Sequence, residues 1–109
     1  MKEVKLSDVS DIILEEIARG AFLTVKKDDK INTMTIGWAN LGRIWGLPIF
    51  EVMVRYSRYT HELIKDADSF TVSFALDDRL KDAVSICGTK SGRDIDKFKQ
   101  CNLTPKYDD

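Results

Sequence analysis

Apolar residues near the start of the chain recur at the spacing of a helix. Val9, Ile12, Ile13 and Ile17 fall on one face, Ser7 or Ser10 can cap its beginning, and Gly20 follows its end. The pattern then changes period. Residues 21–26 and 31–39 are β-prone runs around the polar turn "KKDDK", which predicts a hairpin. After an aromatic loop, Pro48 opens a second apolar run, "IFEVMVRY", in which Ile49, Val52 and Val54 suit a strand. Residues 58–66 read as a short helix and "SFTVSFAL" as another strand. "RLKDAVSIC" places Leu80, Ala83, Val84 and Cys87 on one helical face, and residues 94–100 read as a last helical turn or two. Strands dominate the middle and short helices connect them, so the expected class is α+β, mainly β, built as a small barrel.

Composition narrows the function. The 109 residues suffice for one domain, expected to span residues 1–109. Seventeen Lys and Arg against 18 Asp and Glu leave a net charge of −1, without the basic excess of a general nucleic-acid binder. Any anion site must therefore be local. The N-terminal stretch reads as too charged for a signal peptide, and no apolar run is long enough for a membrane span. Cys87 and Cys101 form no CxxC motif and lie far from His61, the single histidine. They read as reduced thiols of a cytoplasmic protein without a metal site, and His61 as a solvated side chain.

Three stretches could carry chemistry. In "NTMTIGWAN", alternation sends Met34, Ile36 and Trp38 one way and Thr33, Thr35 and Gly37 the other. The second face could receive a flat ring, or the stretch could be an ordinary half-buried strand. In "VRYSRYT", Ser57 can cap a helix whose first turn holds Arg58, Tyr59 and Thr60, with Arg55 just before it. Cations there oppose the helix dipole unless an anion joins them. The site could hold a phosphate, or the arginines could be solvated and paired with acids elsewhere. In "GTKSGRDIDKF", Ser91 and Asp94 have capping-box spacing, while Gly88 and Gly92 could bend a loop that presents Lys90, Arg93 or Lys97 to a ligand. Trp45, in "IWGLP", could pack a loop or cover a ligand. No catalytic triad, Walker motif or glycosidase-like acid pair accompanies them.

Taken together, "NTMTIGW", "GRIWGLPIFEVMVRYSRYTHEL" and "CGTKSGRDIDKF" resemble the flavin reductase-like family of FMN-binding split β-barrels, which includes flavoredoxin. The resemblance runs from about Gly20 onward. It implies FMN against Asn32, Thr33, Met34 and Thr35, with Trp38 and Trp45 as candidate walls. It further implies a phosphate held by Ser57, Arg58, Tyr59 and Thr60 beside Arg55, with Ser91 and Lys97 closing the site. NAD(P)H would be the co-substrate, and free flavin or a redox protein the acceptor. An FMN-binding electron carrier without nicotinamide turnover, or a dimer that has lost flavin, are the alternatives. Family members usually form homodimers and continue beyond the last motif with strands that complete the barrel. Beyond that motif this sequence ends in "NLTPKYDD". The expectation is that the further strands are dispensable, that a partner subunit covers an open sheet edge, or that the chain is a reduced relative, with dimerisation by sheet or barrel packing preferred.

Overall fold

Two antiparallel sheets and four helices make up residues 3–75 and 80–105, which the computed structural model describes. Helix α1 (Leu6–Ile17) leads through Gly20 into β1 (Ala21–Lys27) and β2 (Lys30–Ile36). These pair through a two-residue turn at Asp28–Asp29, where Asp28 takes a φ of 57°. β5 (Thr71–Ser73) adds to the other side of β1, giving the order β2-β1-β5. β3 (Ala39–Ile44) and β4 (Leu47–Val52) form a separate hairpin. Helices α2 (Tyr59–Ile64), α3 (Lys81–Thr89) and α4 (Lys97–Gln100) fill the connections. The chain is thus α+β, as its patterning predicts.

β1 is apolar on both faces because both are covered. Ala21 and Leu23 join Met34 and Ile36 in a core against Phe50 and Val52 of the hairpin, with Val54, Ile64, Val72 and Phe74 around it. Phe22 points the other way, into a second cluster with Ala83 and Cys87 of α3, flanked by Leu80, Val84, Cys101 and Leu103. The four positions expected on one face of α3 all belong to this second cluster.

Several boundaries differ from expectation for local reasons. α1 begins at Leu6 behind Lys5, which makes no side-chain cap, so Ser7 and Ser10 lie inside the helix. None of its residues is fully buried, and Ile12 in particular is exposed. β2 stops at Ile36 rather than 39, leaving Gly37 and Trp38 outside the strand. The aromatic loop is largely strand β3, turned at Trp45 and Gly46 with φ of 57° and 74°. Positive φ at both central residues is the signature of a type I′ hairpin. α2 is capped by Arg58 and not Ser57, and it ends at Ile64. The expected strand at 69–76 contributes only Thr71–Ser73, and Leu76 lies outside the described residues. The last helix starts at Lys97, not 94: Asp96 caps it by accepting from the Phe98 and Lys99 amides, while Ser91 Oγ accepts only from the Arg93 amide. No described helix is long and apolar enough to cross a membrane.

Gly20 is the one residue between α1 and β1 that no other side chain can replace. Its φ is 101°, and a Cβ there would sit 2.9 Å from Val84 Cγ1 and 3.0 Å from Thr35 Cγ2. Gly20→Ala should therefore combine left-handed strain with overpacking and cost about 1–3 kcal/mol, read as a lower denaturant midpoint.

Candidate functional site

The site is built where β2, the segment after β4, and the C-terminal end of α3 converge. A cleft of about 470 Å3 is lined by Met34, Thr35, Ile36, Gly37, Trp38, Met53, Val54, Arg55, Arg58 and Gly88. Its strand side is apolar because Met34 and Ile36 belong to the core, and its far end is cationic. Beyond Arg58 lies a smaller notch of about 130 Å3, lined by Ser57, Arg58, Tyr59, Thr89, Lys90, Ser91 and Lys97. Arg58 belongs to both spaces.

Two cations meet at that boundary. Arg58 Nη1 donates to the Gly88 carbonyl at 2.9 Å and Nη2 to the Cys87 carbonyl at 2.8 Å. Lys97 Nζ donates to the same Cys87 carbonyl at 3.0 Å. These carbonyls lie in the last turn of α3, where the helix dipole favours positive charge. Yet Lys97 is only 2% exposed, and no carboxylate pairs with it or with Arg58 among the described residues. Burial, then Arg58, pushes the Lys97 ammonium below its ordinary range. Burial, then Arg55, does the same to Arg58. Each cation retains unused N–H donors, since a guanidinium has five and an ammonium three. A like-charged pair with one member buried, the other half-buried and donors to spare is stabilised by an anion.

Bonds between the motifs fix this geometry. Asn32 Nδ2 donates to Thr60 Oγ1 at 2.8 Å, tying β2 to the start of α2 inside the protein. Arg93 crosses from the glycine loop to α2: its guanidinium donates to the Ser57 carbonyl, pairs with Glu62 and lies over the Tyr59 ring. Gly92 packs so tightly against Asn32 and Tyr59 that a Cβ would fall 2.2 Å from Asn32 Oδ1.

Of the residues singled out in the sequence, Met34, Thr35, Trp38, Arg55 and Arg58 line the cleft. Ser57, Tyr59, Ser91 and Lys97 join Arg58 at the notch. Asn32, Thr33 and Thr60 are buried and face neither space; their side chains hold β2 to its neighbours. The hydroxyl face of β2 is divided: Thr33 is buried, while Thr35 and Gly37 reach the cleft. α3 lies against part of this face, with Thr35 Oγ1 donating to the Val84 carbonyl. Trp45 stands 95% exposed at the β3–β4 turn and lines neither space. His61 is half-buried, its ring 4.8 Å from that of Tyr56, so it is not a fully solvated side chain. Met53 and Val54 also line the cleft, although neither lies among the residues expected to hold a ligand. The alternation of Val52 and Val54 was the available signal, because it continues beyond β4 into the cleft wall. Among the described residues no cluster of three or more His, Cys, Asp or Glu could hold a metal ion.

Comparison with known proteins decides the family. The model of the flavin reductase like domain matches residues 16–108. The chain belongs to the flavin reductase-like family. Its match therefore takes in β1, β2, both cleft walls and the Arg58–Lys97 notch, and it implies a flavin-related function. An uncharacterized protein of Archaeoglobus fulgidus is 35% identical over 83 residues, 76% of this chain and 46% of that protein. The chain thus spans about half the length of this relative. No solved structure matches it.

Proposed function

We infer that this member of the flavin reductase-like family binds FMN and works as an NAD(P)H-dependent flavin oxidoreductase. The observation that carries the reading is the pairing of half-buried Arg58 with buried Lys97, which lacks a carboxylate partner among the described residues and lies at the cationic end of an apolar-sided cleft. The cleft volume falls within the roughly 300–1,000 Å3 range common for small-molecule sites. Arg58 and Lys97 would hold the phosphate, with Ser57, Tyr59 and Ser91 around it. Met34, Thr35, Trp38, Met53 and Val54 would shape the ring site and keep water from it. Asn32, Thr33 and Thr60 would act from behind, by fixing β2.

A flavin held there would supply the redox chemistry, hydride acceptance from a reduced nicotinamide and electron transfer to an acceptor. The protein's residues bind and orient; none needs to move a proton, which fits a site without an acid–base pair. The two sheets that share one core through Leu23, Met34, Phe50 and Val52 support the split-barrel reading. The apolar side chains of Ile44, Trp45 and Leu47 at the exposed hairpin end support a homodimer.

The test is the visible spectrum of the protein with FMN. Loss of flavin absorbance on anaerobic addition of a reduced nicotinamide supports the oxidoreductase. Colour that resists nicotinamide but yields to dithionite identifies an electron carrier instead. A protein that takes up no FMN overturns the flavin site. Within this reading, Arg58→Ala should weaken FMN by about 1.5–3 kcal/mol in a fluorescence titration, through loss of a charge-assisted contact. Affinity equal to wild type would leave Arg58 only its role at the end of α3.

A further inference from the structure

Cys87 and Cys101 are the chain's only cysteines, and they are neighbours in space although 14 residues apart. Their sulfurs lie 4.0 Å from one another as free thiols. Cys87 is fully buried in the cluster of Phe22 and Ala83, whereas Cys101, at the end of α4, is partly exposed. A disulfide needs the sulfurs about 2.05 Å apart. The remaining approach of about 2 Å is of the size that rotation about the two Cα–Cβ bonds supplies.

We propose that Cys87 and Cys101 are a reversible dithiol–disulfide pair that fastens α3 to α4 behind the cationic notch. Cys101, the accessible thiol, attacks a small-molecule disulfide as its thiolate, forming a mixed disulfide and releasing one thiol. Cys87 then gives up its proton to solvent or to the departing sulfur and attacks Cys101 Sγ, expelling the second thiol. Two protein thiols and one external disulfide become one protein disulfide and two small thiols, so atoms and electrons balance. The bond would join the helix whose Cys87 carbonyl receives both Arg58 and Lys97 to the helix that carries Lys97. The thiol state would thereby set how freely the two walls of the notch part.

The order of steps follows from the surroundings of the two sulfurs. Burial, followed by Cys101, pushes the Cys87 thiol up to about 11, against the smaller opposing pull of Lys97 and Arg58. Cys87 is thus protonated at neutral pH and poorly placed to attack first, and its resolving step should accelerate as pH rises.

The experiment uses the full chain with oxidised glutathione, followed by intact mass measurement and alkylation. The expected product is a monomer lighter by two hydrogen atoms, with neither cysteine alkylated and both restored by dithiothreitol. Cys87→Ala should stop at a stable glutathione adduct on Cys101, and Cys101→Ser should remain unmodified. A wild-type protein that keeps its adduct, links covalently to a second copy, or retains two alkylatable thiols would overturn the pairing. An adduct on Cys87 in the Cys101→Ser protein would overturn the order of attack. None of these readouts involves flavin, so the result is independent of the proposed cofactor.

Discussion

Replacing Lys97 with methionine is expected to make the protein more stable and its FMN binding much weaker. The ammonium is buried, makes one bond to the Cys87 carbonyl, and has no carboxylate partner among the described residues. Methionine has similar length and no charge to desolvate, and Arg58 still satisfies the Cys87 carbonyl. Exchanging a buried charge for a packed apolar side chain is often neutral or stabilising, by about 1–4 kcal/mol. With phosphate in the notch the sign reverses, because an anion is then left without a buried partner. That loss is on the order of 3–5 kcal/mol, a fall in affinity of a hundredfold or more. Thermal melts without ligand and a flavin titration separate the two effects. A Lys97→Met protein that is destabilised yet binds FMN normally would make Lys97 a structural residue alone. The opposing signs are the trade between function and stability expected of a strained site.

pH provides an independent view of the same charge. The folded-state pKa of Lys97 lies below its ordinary value, so the unfolded chain binds the proton more readily. The penalty is therefore fully present below the lowered pKa and is relieved as pH rises through it toward the ordinary lysine value. The stability difference between Lys97→Met and wild type should narrow over that alkaline range.

Gly92→Ala is expected to damage the site and the fold together. The added Cβ would fall 2.2 Å from Asn32 Oδ1, 2.7 Å from Asn32 Cγ and 2.8 Å from Tyr59 Cδ2. Asn32 cannot easily retreat, since it is buried and bonded to Thr60. The glycine loop must move instead, and Ser91 and Arg93 move with it. Overpacking of this kind costs about 1–3 kcal/mol. The displacement should also weaken FMN binding, because Ser91 and Tyr59 both line the notch. Gly42→Ala is the matched control: nothing lies within 4 Å of a Cβ there, so its effect on stability should stay within about 0.5 kcal/mol. Equal behaviour of the two variants would show that the loop does not depend on close contact at Gly92.

The sequence conveyed the elements better than it conveyed their faces. The helical spacing of Leu80, Ala83, Val84 and Cys87 identified the buried side of α3 because a 3.6-residue period leaves few alternatives. The β3 strand was hidden since Trp45 is an unusual occupant of a left-handed turn position, which normally takes Asn, Asp or Gly. Alternation along β2 separated Met34 and Ile36 from Thr33 and Thr35 correctly. It could not show that α3 lies against part of the threonine side, because that depends on a partner 49 residues away in the chain. Cations near residue 58 were conspicuous in the sequence. Their meeting with Lys97 on a single carbonyl was not, because it joins elements 39 positions apart and only tertiary packing creates it.

The central claim is that Arg58 and Lys97 receive the phosphate of a flavin nucleotide. Riboflavin and FMN share the ring and differ in that group, so their relative affinities for one protein isolate it. Fluorescence titration should show FMN binding at least tenfold more tightly than riboflavin to the wild-type protein, with the preference largely abolished in Lys97→Met. Equal affinities for the two ligands in the wild-type protein would contradict the account.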